Sequence, residues 1–366
     1  MRRLVASLLS LFALALSLAS CWAPYYDPEL SASVGMADKL GDPILSIGPL
    51  SGQGTFDSQQ GGSFEFLPAR PPGGAWAPTD GFLVQKGDDQ VRIAFIEYKD
   101  GSYGFASMSQ FVSNYFGSDA LLRSEAATSG GYPQMIAMAD HAKAQQYRYD
   151  RSTRSLSQTS MTPDTSTTCV GVYGFGAALG DAATDADLYA AIFSNGAQIL
   201  VSEDLIGNGT LSALPFADLF AGTLDTGGRS LSGGGGAFVN AGSGYLYYSE
   251  SGGTTLRWNM ATLTSEAPVP LSISKRLTAI LSDGTLVAQD DLHLSAYTAG
   301  GAELFTAAAG SIRLQHEVYC PGPSPAAGHY LVFSQVLAVK GKSSDGDEYY
   351  VKVWRCPLAG FQKLGG

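Results

Sequence analysis

Charge is scarce in this chain. Only 15% of its 366 residues are Asp, Glu, Lys or Arg, and the basic ones are the scarcer: 22 Lys and Arg face 33 Asp and Glu, a net charge of −11. An acidic body repels phosphate backbones, so nucleic acid is excluded as the expected partner. A basic surface resting on anionic lipid is equally disfavoured. Histidine and cysteine number four each. His141, His293, His316 and His329 have no His-Glu-x-x-His company, and no Cys pair has Cys-x-x-Cys spacing. The spacing therefore supplies no metal site, and no cofactor is expected. Long apolar runs are also missing once the first twenty residues are passed, so no further helix is expected to span a bilayer.

Glycine and aromatics are plentiful. The chain has 45 Gly, 18 Tyr and 17 Phe, and 45% of it is apolar. That composition buries a substantial core. Glycine without a collagen period, beside β-forming aromatics, predicts an all-β protein of many short strands and tight turns.

The N-terminus carries the most specific signal. Met1-Arg2-Arg3 is a short positive segment, and Leu4 to Ser17 is an apolar run of signal-peptide length. Leu18-Ala19-Ser20-Cys21 follows. This arrangement resembles the lipobox of bacterial lipoproteins, a resemblance confined to the first 21 residues. It implies cleavage before Cys21, diacylglycerol on the Cys21 thiol and an acyl chain such as palmitate on the new amine. Trp22, rather than Asp, follows the cysteine, which in enterobacteria-like sorting favours the outer membrane. The expected organisation is a signal peptide over 1–20, a lipidated Cys21 and tether over 21–45, and one domain over 46–366. In the oxidising envelope Cys320 and Cys356 are the expected disulfide, leaving Cys169 as a buried free thiol; three unpaired cysteines are the alternative.

Turn signals recur along the rest of the chain. Asp100-Gly101 sits between Phe95-Ile96-Glu97-Tyr98 and Tyr103-Gly104-Phe105 and reads as a hairpin. Similar turns fall at Asp150-Arg151-Ser152, Asn195-Gly196, Gly252-Gly253, Gly300-Gly301 and Asp345-Gly346, with a weaker one at Gly61-Gly62. Their spacing is close to the period of about 40–50 residues found in radial arrays of four-stranded sheets. The expectation is a β-propeller of about seven blades of four-stranded antiparallel sheets, with tandem β-sandwiches as the alternative. Asp80-Gly81 and Asp283-Gly284 fall off this ladder. The segment Ala137-Met138-Ala139-Asp140-His141-Ala142-Lys143-Ala144 has helix-forming composition, so a short helix or an irregular blade is expected there. Leu188 to Phe193 reads as a buried strand.

No motif commits the chain to catalysis. Gly228-Arg229-Ser230-Leu231-Ser232-Gly233 approaches a nucleophile elbow, but its second glycine is one position late. Gly341-Lys342-Ser343 ends like a phosphate-binding loop, but Val336 stands where the first glycine belongs. Asp181, Asp185 and Asp187, and Asp345, Asp347 and Glu348, lack the order of a calcium loop and read as solvated turns. Ser249-Glu250-Ser251-Gly252-Gly253-Thr254-Thr255-Leu256 resembles the Asp-box of sialidase-like propellers at Ser249, Gly253 and Thr255. Its acid is replaced by Ser251 and its Trp by Leu256, so the resemblance implies a hairpin and not a sialidase. Trp22, Trp76, Trp258 and Trp354 are read as packing residues before binding residues. The functional expectation is an envelope lipoprotein, anchored to the membrane at Cys21, that binds or scaffolds an envelope protein or glycan. A glycan hydrolase with carboxylates in a propeller channel, and a surface adhesin or ligand sensor, are the alternatives.

Overall fold

The structure, a computed structural model, describes residues 35–51, 56, 63–69, 80–87, 90–113, 121–125, 134–138, 144–160, 169–174, 188–193, 198–202, 236–240, 245–249, 255–259, 262, 264–269, 271, 276–320, 328–339 and 348–366. Cys21, Trp22, Trp76, His141, Asp181, Asp185, Asp187, Asp345 and Asp347 lie outside them, as do the loop over 341–343 and the run over 228–235.

The chain is built from antiparallel sheets whose strands follow chain order. The first sheet holds β2 (Ser63–Pro68), β3 (Gly81–Lys86), β4 (Val91–Lys99) and β5 (Ser102–Ser113). The second holds β6 (Leu121–Glu125), β7 (Gln134–Met138), β8 (Ala144–Asp150) and β9 (Ser155–Ser160). The third holds β10 (Cys169–Gly174), β11 (Leu188–Phe193) and β12 (Gln198–Ser202), and the fourth β13 (Gly236–Asn240), β14 (Tyr245–Ser249) and β15 (Thr255–Asn259). Beside β15 the segment 264–269 runs antiparallel, through bridges Trp258–Ser265 and Thr255–Val269. The fifth sheet holds β16 (Arg276–Ile280), β17 (Leu286–Gln289), β18 (His293–Tyr297) and β19 (Glu303–Ala308). The sixth takes β20 (Ile312–Cys320), β21 (Gly328–Val339) and β22 (Glu348–Pro357), and completes itself with β1 (Leu45–Ser51) from the other end of the chain. None of these sheets closes into a barrel.

Tight turns make the meanders. Asp100 and Gly101 both take positive φ, 52° and 84°, the backbone that a two-residue turn needs to match strand twist. Tyr98 and Tyr103, and Lys99 and Ser102, then pair across it. Gly81 has a different role. A Cβ there would collide with the Leu67 carbonyl and the Phe66 ring, so glycine lets β2 and β3 approach. Ser249 pairs with Thr255, so the fragment similar to an Asp-box does join two strands of a hairpin.

Apolar side chains fill the spaces between neighbouring sheets. Phe82, Val84, Phe95, Tyr147 and Tyr149 form one core between the first and second, with the Phe95 and Tyr149 rings stacked at 4.0 Å. Tyr247, Leu277, Leu286 and Tyr297 fill the fourth-to-fifth junction. Leu294, Leu314, Phe333 and Trp354 fill the fifth-to-sixth. Leu45, Ile47, Leu83, Ile96 and Val353 fill the sixth-to-first. Around the molecule, β8 touches β10, β10 touches β13, β13 touches β16, β16 touches β20, and β20 and β2 both touch β6. The first strands of the sheets therefore meet toward the middle. The end at which these first strands finish is called the exit end below, and the other the entry end.

Three expectations change here. Six sheets are present among the described residues, where about seven were expected. Gly61-Gly62, the seventh rung of the turn ladder, lies outside the described residues. The chain's two ends share one sheet. Second, Ala137 and Met138 lie in β7 and Ala144 starts β8. β7 is paired on both sides, and two full ladders of hydrogen bonds outweigh the helical propensity of its alanines. Third, the segment read as a tether docks before it reaches β1. Residues 35–40 are helical, Met36 is buried, and Lys39 Nζ donates to the Leu364 carbonyl at 2.9 Å. Trp354 Nε1 donates to the Gly41 carbonyl at 2.9 Å. Leu188–Phe193 is a strand, as read.

Candidate functional site

Polar side chains gather where one sheet meets the next. One such group joins the fifth and sixth sheets at the exit end. Ser282 stands in the β16–β17 turn, Glu317 near the end of β20 and His329 near the start of β21. Glu317 is buried, and its Oε2 accepts the Ser282 backbone N–H at 2.7 Å. Its Oε1 accepts the Ser282 hydroxyl at 2.5 Å and lies 2.6 Å from His329 Nδ1. Ser282 Oγ is itself 3.2 Å from the same nitrogen.

A serine, a histidine and a carboxylate in contact invite comparison with a hydrolytic triad. The geometry differs in the decisive respect. A triad places the imidazole between serine and acid, one on each ring nitrogen. Here serine and acid share Nδ1, and the serine also donates directly to the acid. The imidazole cannot relay a proton between them. The cluster orients a half-exposed histidine at a sheet junction instead.

The junction of the first and second sheets holds a second group. Arg151 Nη2 donates to Asp80 Oδ2 at 2.8 Å and its Nε to the same oxygen at 3.3 Å. Tyr149 Oη donates to Glu97 Oε2 at 2.7 Å, and Arg154 pairs with Glu97 Oε1. Burial raises the Asp80 carboxyl above its ordinary value; Arg151 opposes the rise, and the Glu97 charge adds to it. Burial, reinforced by the bond to Glu97, pushes the Tyr149 phenol up to about 12. Nearer the middle, Lys86 Nζ lies 2.7 Å from Glu65 Oε2, and Gln315 Nε2 donates to Ser334 Oγ at 2.9 Å. Burial alone would raise the Glu65 carboxyl, but Lys86, with help from Arg313 and Gln315, outweighs it and holds the group below the usual carboxylate range.

The remaining sequence candidates separate. His293 Nδ1 lies 3.5 Å from Asp290, beside its own turn. His316 is half-buried on β20. Glu348 accepts the Tyr350 hydroxyl at 2.9 Å. Trp258 and Trp354 are core residues, at 1% and 2% exposure, so neither presents a ring to a ligand. Among the described residues no group of three or more His, Cys, Asp or Glu side chains is placed to hold a metal ion.

The expected Cys320–Cys356 disulfide is not formed; Cys356 is a buried free thiol. Cys320 ends β20 opposite Gly328, whereas Cys356 on β22 faces Leu331. β21 lies between them, and two strand spacings of about 4.8 Å exceed the reach of a disulfide. Cys169 begins β10. Burial pushes the Cys356 thiol up to about 11, against a small opposing effect of Lys363. In native protein at pH 8 the peptide carrying Cys356 should stay unmodified by iodoacetamide, and in denaturant it should label fully. Mass mapping of the digested protein reads this directly, and rapid native labelling would contradict the burial.

Of the residues in these clusters, the sequence singles out His329. It misses Ser282 and Asp80, which meet their partners across sheet junctions, Glu317, which contacts Ser282 across a junction and His329 within its own sheet, and Glu65, whose partner Lys86 lies on the next strand of its own sheet. Asp80-Gly81 and Asp283-Gly284, the turns off the ladder, were the available signal, since both lie at the exit end beside these clusters.

No family model matches the chain, and no curated protein matches it. Among solved structures it is similar to Sqt1 of Saccharomyces cerevisiae, at 12% identity and a TM-score of 0.38 over 76% of this chain and 70% of that one. It is also similar to a chain of the COPII outer coat vertex on membranes, at 10% identity and a TM-score of 0.39 over 74% and 73%.

Proposed function

We propose that this chain is a six-bladed β-propeller, lipid-anchored in the bacterial cell envelope through Cys21, that serves as a binding or scaffolding module. The observation that carries the architecture is the cyclic order of contacts among six meandering sheets, the last completed by β1. Tandem sandwiches would pack sheets in pairs, whereas here each sheet touches a neighbour on either side. A ring closed by its own N-terminal strand has no free ends to fray. The binding role is supported by how the acidic groups are used. Glu65, Asp80, Glu97 and Glu317 are each held by a partner, on a neighbouring sheet or on the next strand of the same one. They act as ties in a rigid frame, and the loops at the ends of the ring carry recognition.

Cys21→Ser tests the anchor. The parent should incorporate a palmitate analogue and fractionate with membranes, and the variant should do neither while unfolding at the same temperature. A variant that stays on the membrane would refute the anchor. Incubation of the purified chain with envelope glycans should release no reducing ends; release would replace the binding role with a glycan hydrolase.

A further inference from the structure

Four large apolar side chains stand exposed among the described residues: Ile44, Tyr98, Leu292 and Leu304, at 40%, 56%, 41% and 41%. Single exposed apolar residues are ordinary on a protein surface. Their placement here is not scattered. Leu304 is the second residue of β19, which starts at the exit end of the fifth sheet. Ile44 immediately precedes β1, which starts at the exit end of the sixth, its N–H donating to the Val353 carbonyl at 2.8 Å. Tyr98 is the last residue but one of β4, at the exit end of the first, its ring 4.9 Å from that of Tyr103. The fifth, sixth and first sheets are consecutive, and the outer strands β1 and β5 touch. Three exposed groups thus form one arc along one end of three adjoining sheets. Leu292, in the β17–β18 turn, lies at the entry end.

We propose that this arc lies in the lipid–water interface of the membrane to which the chain is anchored. The placement rests on the lipid-anchor reading of Cys21. Tyrosine suits an interface because its ring is apolar and its hydroxyl stays wet. The arc's charged neighbours are of both signs, with Lys39, Lys99, Asp42 and Asp100 all at the exit end. The attraction is interfacial and needs no anionic lipid.

The chain's path points the same way. Residue 35 is the first described residue of the helix that packs at the exit end, and thirteen residues, 22–34, separate it from Cys21. That length reaches at most about 45 Å when fully extended. Turning the entry end to the bilayer would force it along the height of the sixth sheet, about 33 Å for a strand as long as β22. The exit end is reached with slack.

Tryptophan placed at each position reports the contact. Full-length lipidated Tyr98→Trp, Leu304→Trp and Leu292→Trp proteins would be reconstituted in phosphatidylethanolamine–phosphatidylglycerol vesicles containing acyl-brominated phosphatidylcholine. Subtracting the parent spectrum isolates the added fluorophore. At positions 98 and 304 it should lose about half its emission or more to the bromines, and at 292 almost none. Two exit-end variants guard against one that fails to fold. Unquenched emission at both, or quenching at 292 as strong as theirs, would overturn the placement while leaving the anchor intact. Failure of the parent to sediment with vesicles would overturn the anchor and this placement together.

Discussion

Trp354→Ala should cost the protein about 3–5 kcal/mol, the range for deleting a fully buried indole. Trp354 is 2% exposed and packs with Phe333, Leu314 and Leu294 between the fifth and sixth sheets. Its Nε1 also holds the Gly41 carbonyl at 2.9 Å, which ties the segment ahead of β1 to the last strand of the chain. Packing and tether can be separated. Trp354→Phe keeps most of the apolar volume and loses the hydrogen bond, so it should cost about 1–2 kcal/mol. Urea unfolding of the three proteins gives both numbers. Equal losses in the two variants would mean that the bond to Gly41, not the packing, dominates. A loss under about 1 kcal/mol in the alanine variant would contradict the burial itself.

Lys86→Met should destabilise the protein at neutral pH by about 2–3 kcal/mol and reverse the sign of the Glu65 contribution to its acid response. The lysine and Glu65 are 2.7 Å apart, each about 15% exposed, so removing one partner leaves a largely buried charge. In the parent the Glu65 carboxyl is held below its ordinary value. Its contribution is complete above the unfolded-state pKa and disappears as pH falls through the lower, folded-state value. Without Lys86, burial dominates and the folded-state value lies above the unfolded one. The folded protein then binds the proton more tightly, and lowering the pH through that raised value restores stability at this site. Unfolding midpoints of parent and variant between pH 4 and pH 7 should converge as the pH falls. Curves that stay parallel would show that Lys86 does not control Glu65.

The turns were the legible part of this fold. Asp100-Gly101, Asp150-Arg151-Ser152, Asn195-Gly196, Gly252-Gly253, Gly300-Gly301 and Asp345-Gly346 each fall in sequence between consecutive strands of a different sheet, six signals for the six sheets among the described residues. Turn chemistry is local, because a positive φ must be supplied by the residue that adopts it. Sheet membership is not local. β1 and β22 pair Leu45 with Val353 across nearly the whole chain, and nothing in either strand's pattern announces its partner. The cysteines failed in the same way. Cys320 and Cys356 both sit at strand ends, as read, but strand order puts β21 between them. The Ser282–Glu317–His329 group was hidden for a related reason, Ser282 being 35 and 47 residues from the other two and joined to them only where two sheets touch. The helical composition around Ala137 was legible but overruled, since propensity differences of a few tenths of a kcal/mol per residue are small beside a strand paired on both edges.

The way β1 completes the sixth sheet sets how the molecule answers a mechanical pull. Tension on the N-terminal segment first meets the Lys39–Leu364 and Trp354–Gly41 links and then β1 itself. β1 starts at the exit end, beside the finish of β22, and runs back along it. A force directed away from the exit end therefore draws β1 lengthwise past β22. The hydrogen bonds of that ladder are strained together, in shear, and do not open one after another as in a zipper. Tugging sideways on the same segment would peel the strand from Leu45 onward. The closure is strongest along the axis on which an attachment below the exit end would pull.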